Sequence, residues 1–282
     1  MKIRKALLKI VNHRATPYVV LSVISFFMIT PFIWMGLSAF KTLSETFRCP
    51  PTYFPENPTL KTMSEAWFKA PIPTYIINSL IVCLGSTFII IIAGSFTAYA
   101  LSQYRYKGSN IALGLFLFTR IIPPLSLLLP YYLMLMKLHL LNTRISVVLY
   151  LIYLNYPLIV WLLKGFFDSF PRDLTDAAIA DGCSRTGAII RIVFPVAATS
   201  IGAIAVIGFL WAWNEFFAPF LFISYDELKP ITVGIYYFVG DEYAYWNRMC
   251  AAGIYAVIPS LLFFLLAQKY IVKGLTSGAL KY

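Results

Sequence analysis

Charge is what this sequence has least of. Asp, Glu, Lys and Arg make up 12% of its 282 residues, against about 25% in soluble globular chains. Acids are the scarcer sign, 12 against 23 Lys and Arg. With 60% apolar residues and a mean hydropathy of +0.75, too little charge remains to coat a water-soluble particle of this size. The same balance excludes a disordered chain, which needs low hydrophobicity and high net charge. Histidine is nearly absent, and no Ser-His-Asp or metal constellation can be assembled around His13 and His139. The four cysteines, Cys49, Cys83, Cys183 and Cys250, show neither CxxC nor Cys/His spacing, so no metal site is expected. A Cys49–Cys250 disulfide is conceivable, and inert thiols are the preferred reading. No G-x-x-x-x-G-K-[ST] occurs, so the chain has no loop of its own to cradle ATP phosphates. These absences leave a membrane protein with no catalytic residues and no cofactor site of its own.

What is present is apolar sequence in long runs. Six stretches approach or exceed the roughly 20 residues that cross a bilayer: 18–40, 74–101, 111–132, 145–166, 200–223 and 248–270. In lipid the backbone must satisfy its own hydrogen bonds, so these are expected to be helices, and no ten-residue alternation suggests a barrel. The first run follows Lys2, Arg4, Lys5, Lys9 and Arg14; it is too long for a signal-peptide core and reads as a retained signal anchor. The basic start is either a helix on the headgroups or a frayed polar terminus.

Six spans place both termini and two loops on one side. That side holds 14 Lys or Arg against 4 Asp, whereas the opposite side holds 8 against 7 acids. The asymmetry puts both termini in the cytoplasm and gives the formal charge of +11 an orientation role rather than a nucleic-acid one. Three regions follow: 1–73 with the first span and a Pro-rich outer connection (41–73, a short helix expected near 64–69), a core membrane domain 74–270, and a cytoplasmic tail 271–282.

The cytoplasmic loop 167–199 is the natural place for a partner. Over 171–195 it reads PRDLTDAAIADGCSRTGAIIRIVFP. Thr175 is expected to cap a helix whose positive end suits Asp176; Ala177, Ala178 and Ala180 keep it slim, and Gly182 can end it in a left-handed conformation. A second helix is expected over 184–193, stopping before Pro195. Such a helix is shaped to enter a groove, or alternatively to pack as a hairpin on its own protein; residue chemistry leaves both open.

Asp176-Ala177-Ala178, then Gly182, Ile192 and Pro195, resembles the EAA motif of ABC-importer permeases, with Asp for the leading Glu and Phe194 where Leu is commoner. Residues 98–108 (AYALSQYRYKG), 119–124 (TRIIPP), 138–143 (LHLLNT), 213–216 (WNEF) and 273–278 (KGLTSG) extend the resemblance over nearly the whole chain, towards carbohydrate-uptake permeases of the maltose type. The resemblance implies an all-α polytopic membrane protein with six transmembrane helices and the ABC-importer permease (MetI-like) fold, in the bacterial inner membrane. It implies that Asp176, Ala177, Ala178, Asp181 and Gly182 couple to an ATPase subunit, with Arg185 and Arg191 as candidates for added contacts and Pro195 closing the motif. It further implies a second permease, two ATP-binding subunits carrying ATP and Mg, an outer solute-binding protein and a carbohydrate moved by alternating access.

Intramembrane polar groups are expensive and default to a bundle interior or a water-filled path. Arg120, Trp213, Asn214 and Glu215 are therefore candidates for the substrate pathway. For Glu215 a structural hydrogen bond is an equal alternative. For Arg120 the preferred reading is pairing, with Glu215 or with a companion permease. Pro123, Pro124 and Pro130 suggest kinks in the third span. The acid pairs Asp226-Glu227 and Asp241-Glu242 read as a solvated outer rim, or alternatively as a docking edge for the binding protein. The rival function is an ion-coupled secondary transporter, which should show inverted repeats and paired intramembrane acids; a membrane enzyme would need clustered acids, His or Cys, and none is found.

Overall fold

The computed structural model describes residues 15–104, 106–240 and 244–277, with side chains as far as 268. The basic start 2–14, Arg105, the Asp241-Glu242 pair and Gly278 lie outside the described residues. Among those described, the regular structure is helical, and the one strand-like feature is an isolated bridge between Val239 and Ala244.

Among the described residues, five helices are long and apolar enough to cross a membrane: α1 (Thr16–Ala39), α3 (Ile72–Gln103), α6 (Arg144–Phe167), α8 (Arg185–Trp213) and the first part of α10 (Trp246–Ser277). Between them lie α2 (Lys61–Lys69), α4 (Ser109–Phe118), α5 (Pro124–Lys137), α7 (Asp173–Ala180) and α9 (Phe217–Phe222).

Two expected spans are broken. The run 111–132 is two shorter helices, α4 and α5. Pro124 forces Pro123 out of the helical region (φ −56°, ψ 124°) and then opens α5 at its first turn, where a missing N–H costs nothing. The run 200–223 ends early, at Trp213. The Asn214 side chain bonds back to the Leu210 carbonyl (2.7 Å), and α9 restarts after Glu215, whose Oε1 accepts the Ala218 N–H (3.1 Å). Pro219 cannot donate to the Glu215 carbonyl four residues back; the Thr232 hydroxyl takes it instead (2.9 Å).

The opposite correction applies at Pro195. The helix expected to stop there runs on into the membrane, because a π-helical segment, Ile189–Val193, widens the turn just before the proline and the Phe194 N–H bonds to the Ile189 carbonyl. A wider turn tolerates the proline ring and its missing donor.

The described residues form two compact units, one within 71–236 with 256–277 and the other within 15–70 with 237–255. In the first, α3 and α6 pack along their lengths with α8 against both. Gly94 allows the approach: a Cβ there would lie 3.5 Å from Leu163 Cδ1 and 3.6 Å from Val160 Cγ2. Gly208 does the same for α8, where a Cβ would lie 3.3 Å from Ile159 Cδ1. Ile90, Tyr99, Ile159, Leu163, Phe167 and Val193 form the core between these helices. Asn78, fully buried, donates to the Glu227 (2.8 Å) and Lys229 (3.0 Å) carbonyls and accepts from Arg144 Nε (2.9 Å), tying the 226–231 segment to α3.

The second unit folds the Pro-rich connection around α2, which begins three residues earlier than expected. Thr62 and Asn247 both donate to the Lys41 carbonyl, and Arg248 Nε donates to Glu65 (2.9 Å). The Glu45 carboxylate accepts the Glu56 amide (2.9 Å) and the Thr52 hydroxyl (2.8 Å). The Glu56 amide holds the Glu45 carboxyl below the ordinary carboxylate range against the opposing pull of burial, and Thr52 and Lys41 add to it. All four cysteines are free thiols.

Candidate functional site

The loop between α6 and α8 is an ordered helical hairpin fastened to the end of α3. Helix α7 begins at Asp173, two residues before the expected cap. Thr175 is therefore inside the helix, where its hydroxyl shares a hydrogen bond with the Tyr99 hydroxyl (3.0 Å). What sets the start is Arg172: its Nε donates to Gln103 Oε1 (3.1 Å) and its Nη2 to the Gln103 carbonyl (2.8 Å). Gln103 Nε2 in turn donates to the Phe167 carbonyl (2.6 Å), so one side chain joins the ends of α3, α6 and α7. Asp173 and Asp176 lie in the first turn, where the helix dipole favours anions.

The far end of α7 closes as a complete left-handed cap. Gly182, at φ +91°, donates its N–H to the Ile179 carbonyl (3.0 Å), and the Cys183 N–H reaches back to the Ala178 carbonyl (3.0 Å). Ser184 then caps the next helix, its Oγ accepting the Gly187 N–H (3.1 Å). From there α8 runs without interruption to Trp213. Helix α7 is therefore joined both to α3, through Gln103 and Tyr99, and to α8, through the four-residue turn 181–184.

The surface of α7 divides sharply. Ala178 is buried (4% exposed) and packs the helix inward, while Asp176, Ala177, Asp181, Gly182 and Arg185 are exposed. Leu174 and Ile179, at about 40% exposure, place apolar side chains on the open face. The site is thus a slim ridge with acids at its start and end. Arg185 lies over the Tyr104 ring (5.6 Å), Arg191 is exposed, and Pro195 follows the π segment.

The polar residues of the membrane region do not form one cluster. Arg120 and Glu215 make no ion pair with each other. Arg120 Nη1 donates to the Leu154 carbonyl (2.6 Å), in the break between α4 and α5, and Glu215 is half-buried as the cap of α9. Trp213 is 5% exposed with its indole N–H on the Ala256 carbonyl (3.2 Å); Asn214 is exposed. The Asp226-Glu227 pair is exposed, and Lys229 reaches Asp226 (2.5 Å). Among the described residues, no group of three or more His, Cys, Asp or Glu is placed to hold a metal ion.

The loop is thus a helical hairpin tied between two membrane helices, with an exposed acidic ridge. The family model described as "binding-protein-dependent transport system inner membrane component" matches residues 90–277, which contain the hairpin and four of the five long helices wholly or in part. The chain belongs to this family. It is a multi-pass inner-membrane permease subunit of an ABC importer, a transport component and not an enzyme. The permease is 33% identical over 251 residues to the sulfoquinovosyl glycerol transport system permease protein SmoH of Agrobacterium fabrum, covering 89% of this chain and 88% of that one. It is 31% identical over 229 residues to the melibiose/raffinose/stachyose import permease protein MelC of Bacillus subtilis, covering 81% and 83%. In fold it matches a chain of a bacterial ABC transporter involved in the import of the acidic polysaccharide alginate, with a TM-score of 0.78 at 18% identity over 95% of this chain and 97% of that one.

The residues that anchor the hairpin, Tyr99, Gln103 and Arg172, were missed by sequence reasoning. Tyr99 and Gln103 stand inside the quoted 98–108 motif, so their presence was visible; their hydrogen bonds to a loop roughly 70 residues away were not.

Proposed function

We propose that this permease moves a carbohydrate inward across the bacterial inner membrane by alternating access, driven by a separate ATPase that grips α7. The observation that carries the reading is the exposed ridge from Asp176 to Asp181, anchored on one side to α3 and continuous on the other with α8. A partner pushing on the ridge moves two membrane helices together. The likeness to SmoH, a sulfoquinovosyl glycerol transport permease, and MelC, a melibiose/raffinose/stachyose import permease, supports a carbohydrate as cargo.

In this mechanism two ATP-binding subunits hold ATP and Mg, a second permease completes the pathway, and a solute-binding protein delivers sugar from outside. Asp176, Ala177, Asp181, Gly182 and Arg185 form the contact surface; Ala178 positions it from beneath, and Pro195 with its π turn sets the angle at which α8 leaves the loop. Arg120, Asn214 and Glu215 are the pathway candidates, at the two helix breaks where backbone groups are freed. The charge asymmetry of the loops supports cytoplasmic termini and a cytoplasmic α7.

The test is the ATPase activity of the assembled transporter in proteoliposomes, with the binding protein and a panel of oligosaccharides. One or more sugars should raise hydrolysis several-fold, and only with the binding protein present. Sugar uptake that persists with a hydrolysis-dead ATPase partner would overturn the reading in favour of an ion-coupled transporter.

A further inference from the structure

We propose that the permease carries a dedicated site for an anionic phospholipid between the ends of α3, α4 and α6. The headgroup would lie in a polar cleft and one acyl chain along an adjoining apolar groove. The cleft, about 520 Å³, lies where the chain turns from α3 into α4. Gly108, at φ +99°, makes that turn, and no side chain caps the N-terminus of α4. The first-turn amides of Asn110 and Ile111, both at the cleft, have no acceptor within the helix and are directed at whatever occupies it.

Two lysines border the same space, Lys107 from the turn and Lys164 from α6. Lys164 is bridged to Asp168 (2.8 Å), which leaves its remaining N–H groups for a second acceptor and a net positive cleft. Ser102, lining the cleft and 5% exposed, has a buried hydroxyl with no hydrogen-bond partner. An orphaned buried hydroxyl of this kind is destabilising unless something accepts from it. Two ammonium groups, open helix amides and an unused hydroxyl all call for one kind of ligand, an oxyanion.

The second cavity distinguishes a lipid from a free anion. A groove of about 190 Å³ lined by Leu113, Trp161, Leu162 and Gly165 shares Lys164 and Asp168 with the cleft. It runs between the apolar helix α4 and the membrane-spanning α6, and Trp161, at 47% exposure, lines it where an interfacial aromatic belongs. A phosphate in the cleft with a hydrocarbon tail in the groove satisfies both. Basic pockets between membrane helices are suited to such headgroups. The inference needs the chain to span a membrane and does not depend on the cargo or the ATPase.

Trp161 is its own reporter. In nanodiscs of the purified transporter, brominated lipids quench nearby tryptophan, and the Trp161 share is obtained by subtracting the Trp161→Phe variant. Brominated phosphatidylglycerol should quench that share at a mole fraction about five-fold lower than brominated phosphatidylcholine, the preference expected for one surface cation. Lys107→Glu, at an exposed position of the turn, should abolish the preference, and Lys137→Glu, exposed at the far end of α5, should leave it intact. Equal quenching by the two lipids, or a preference that survives Lys107→Glu, would overturn the site. Loss of the preference on adding inorganic phosphate at matched ionic strength would reassign the cleft to a free anion and overturn the lipid.

Discussion

Gly182 is the residue at which backbone geometry and function meet. At φ +91° its conformation is open to glycine, costs an ordinary L-residue about 1–2 kcal/mol, and is tolerated by Asn better than by any β-branched residue. It ends α7 and starts the turn into α8, so a side chain that rejects this conformation redirects the ridge. Gly182→Val is expected to insert in the membrane at normal levels and to lose most uptake, about five- to thirty-fold for a strain of this size. Gly182→Asn should retain most of it. Uptake measured beside immunoblotted membrane protein checks this, and equal loss in both variants would mean that bulk, not conformation, matters there. The left-handed glycine was legible in the sequence because it follows a helix-forming run. The buried state of Ala178 was not: in an alanine pair, which member faces inward depends on where the helix begins, and Arg172, not Thr175, decides that.

At the scale of the element, α7 is an eight-residue helix, too short to persist alone in water, so its order comes from its attachments. Gln103 supplies the strongest of them, bonded to a guanidinium and to a buried carbonyl. A charge-assisted bond of this kind is worth about 1.5–3 kcal/mol. Gln103→Ala is accordingly expected to speed amide exchange over residues 173–180 by about ten-fold or more while leaving the centre of α3 protected. Unchanged exchange would show that packing alone orders α7. Element identity was readable from composition for α3 and α6, whose apolar runs are long and uninterrupted. It failed at the prolines, and in both directions. Pro123-Pro124 split an expected span because the first of the pair cannot be helical. Pro195 failed to stop a helix because a π turn, invisible in any sequence pattern, absorbed it. The third failure, at Trp213, turned on two polar side chains, Asn214 and Glu215, that took over backbone hydrogen bonding.

At the scale of the whole molecule, the sequence made an all-helical membrane protein unavoidable through its shortage of charge. The loop motif then separated this permease from other helical membrane proteins, and the family match over residues 90–277 agrees with it. The joining of residues 237–255 to the N-terminal unit was not legible, because it rests on hydrogen bonds such as those of Asn247 to the Lys41 carbonyl, about 200 residues apart in sequence. The apparent Arg120–Glu215 pair was the plausible error of the same kind: opposite charges in a membrane invite pairing, yet each finds backbone partners of its own at a helix break. The account as a whole depends on α7 being held by a different polypeptide. The direct measurement is site-specific crosslinking in intact membranes, with single cysteines placed at Ala177 and Asp181 on the exposed ridge and at Lys137 as a control, in a background where the native Cys49, Cys83, Cys183 and Cys250 are serine. The two ridge positions should each yield one adduct containing a nucleotide-binding subunit, formed in competition with the native contact and absent from the Lys137 variant. Ridge cysteines that crosslink to nothing, or only within their own chain, would contradict it.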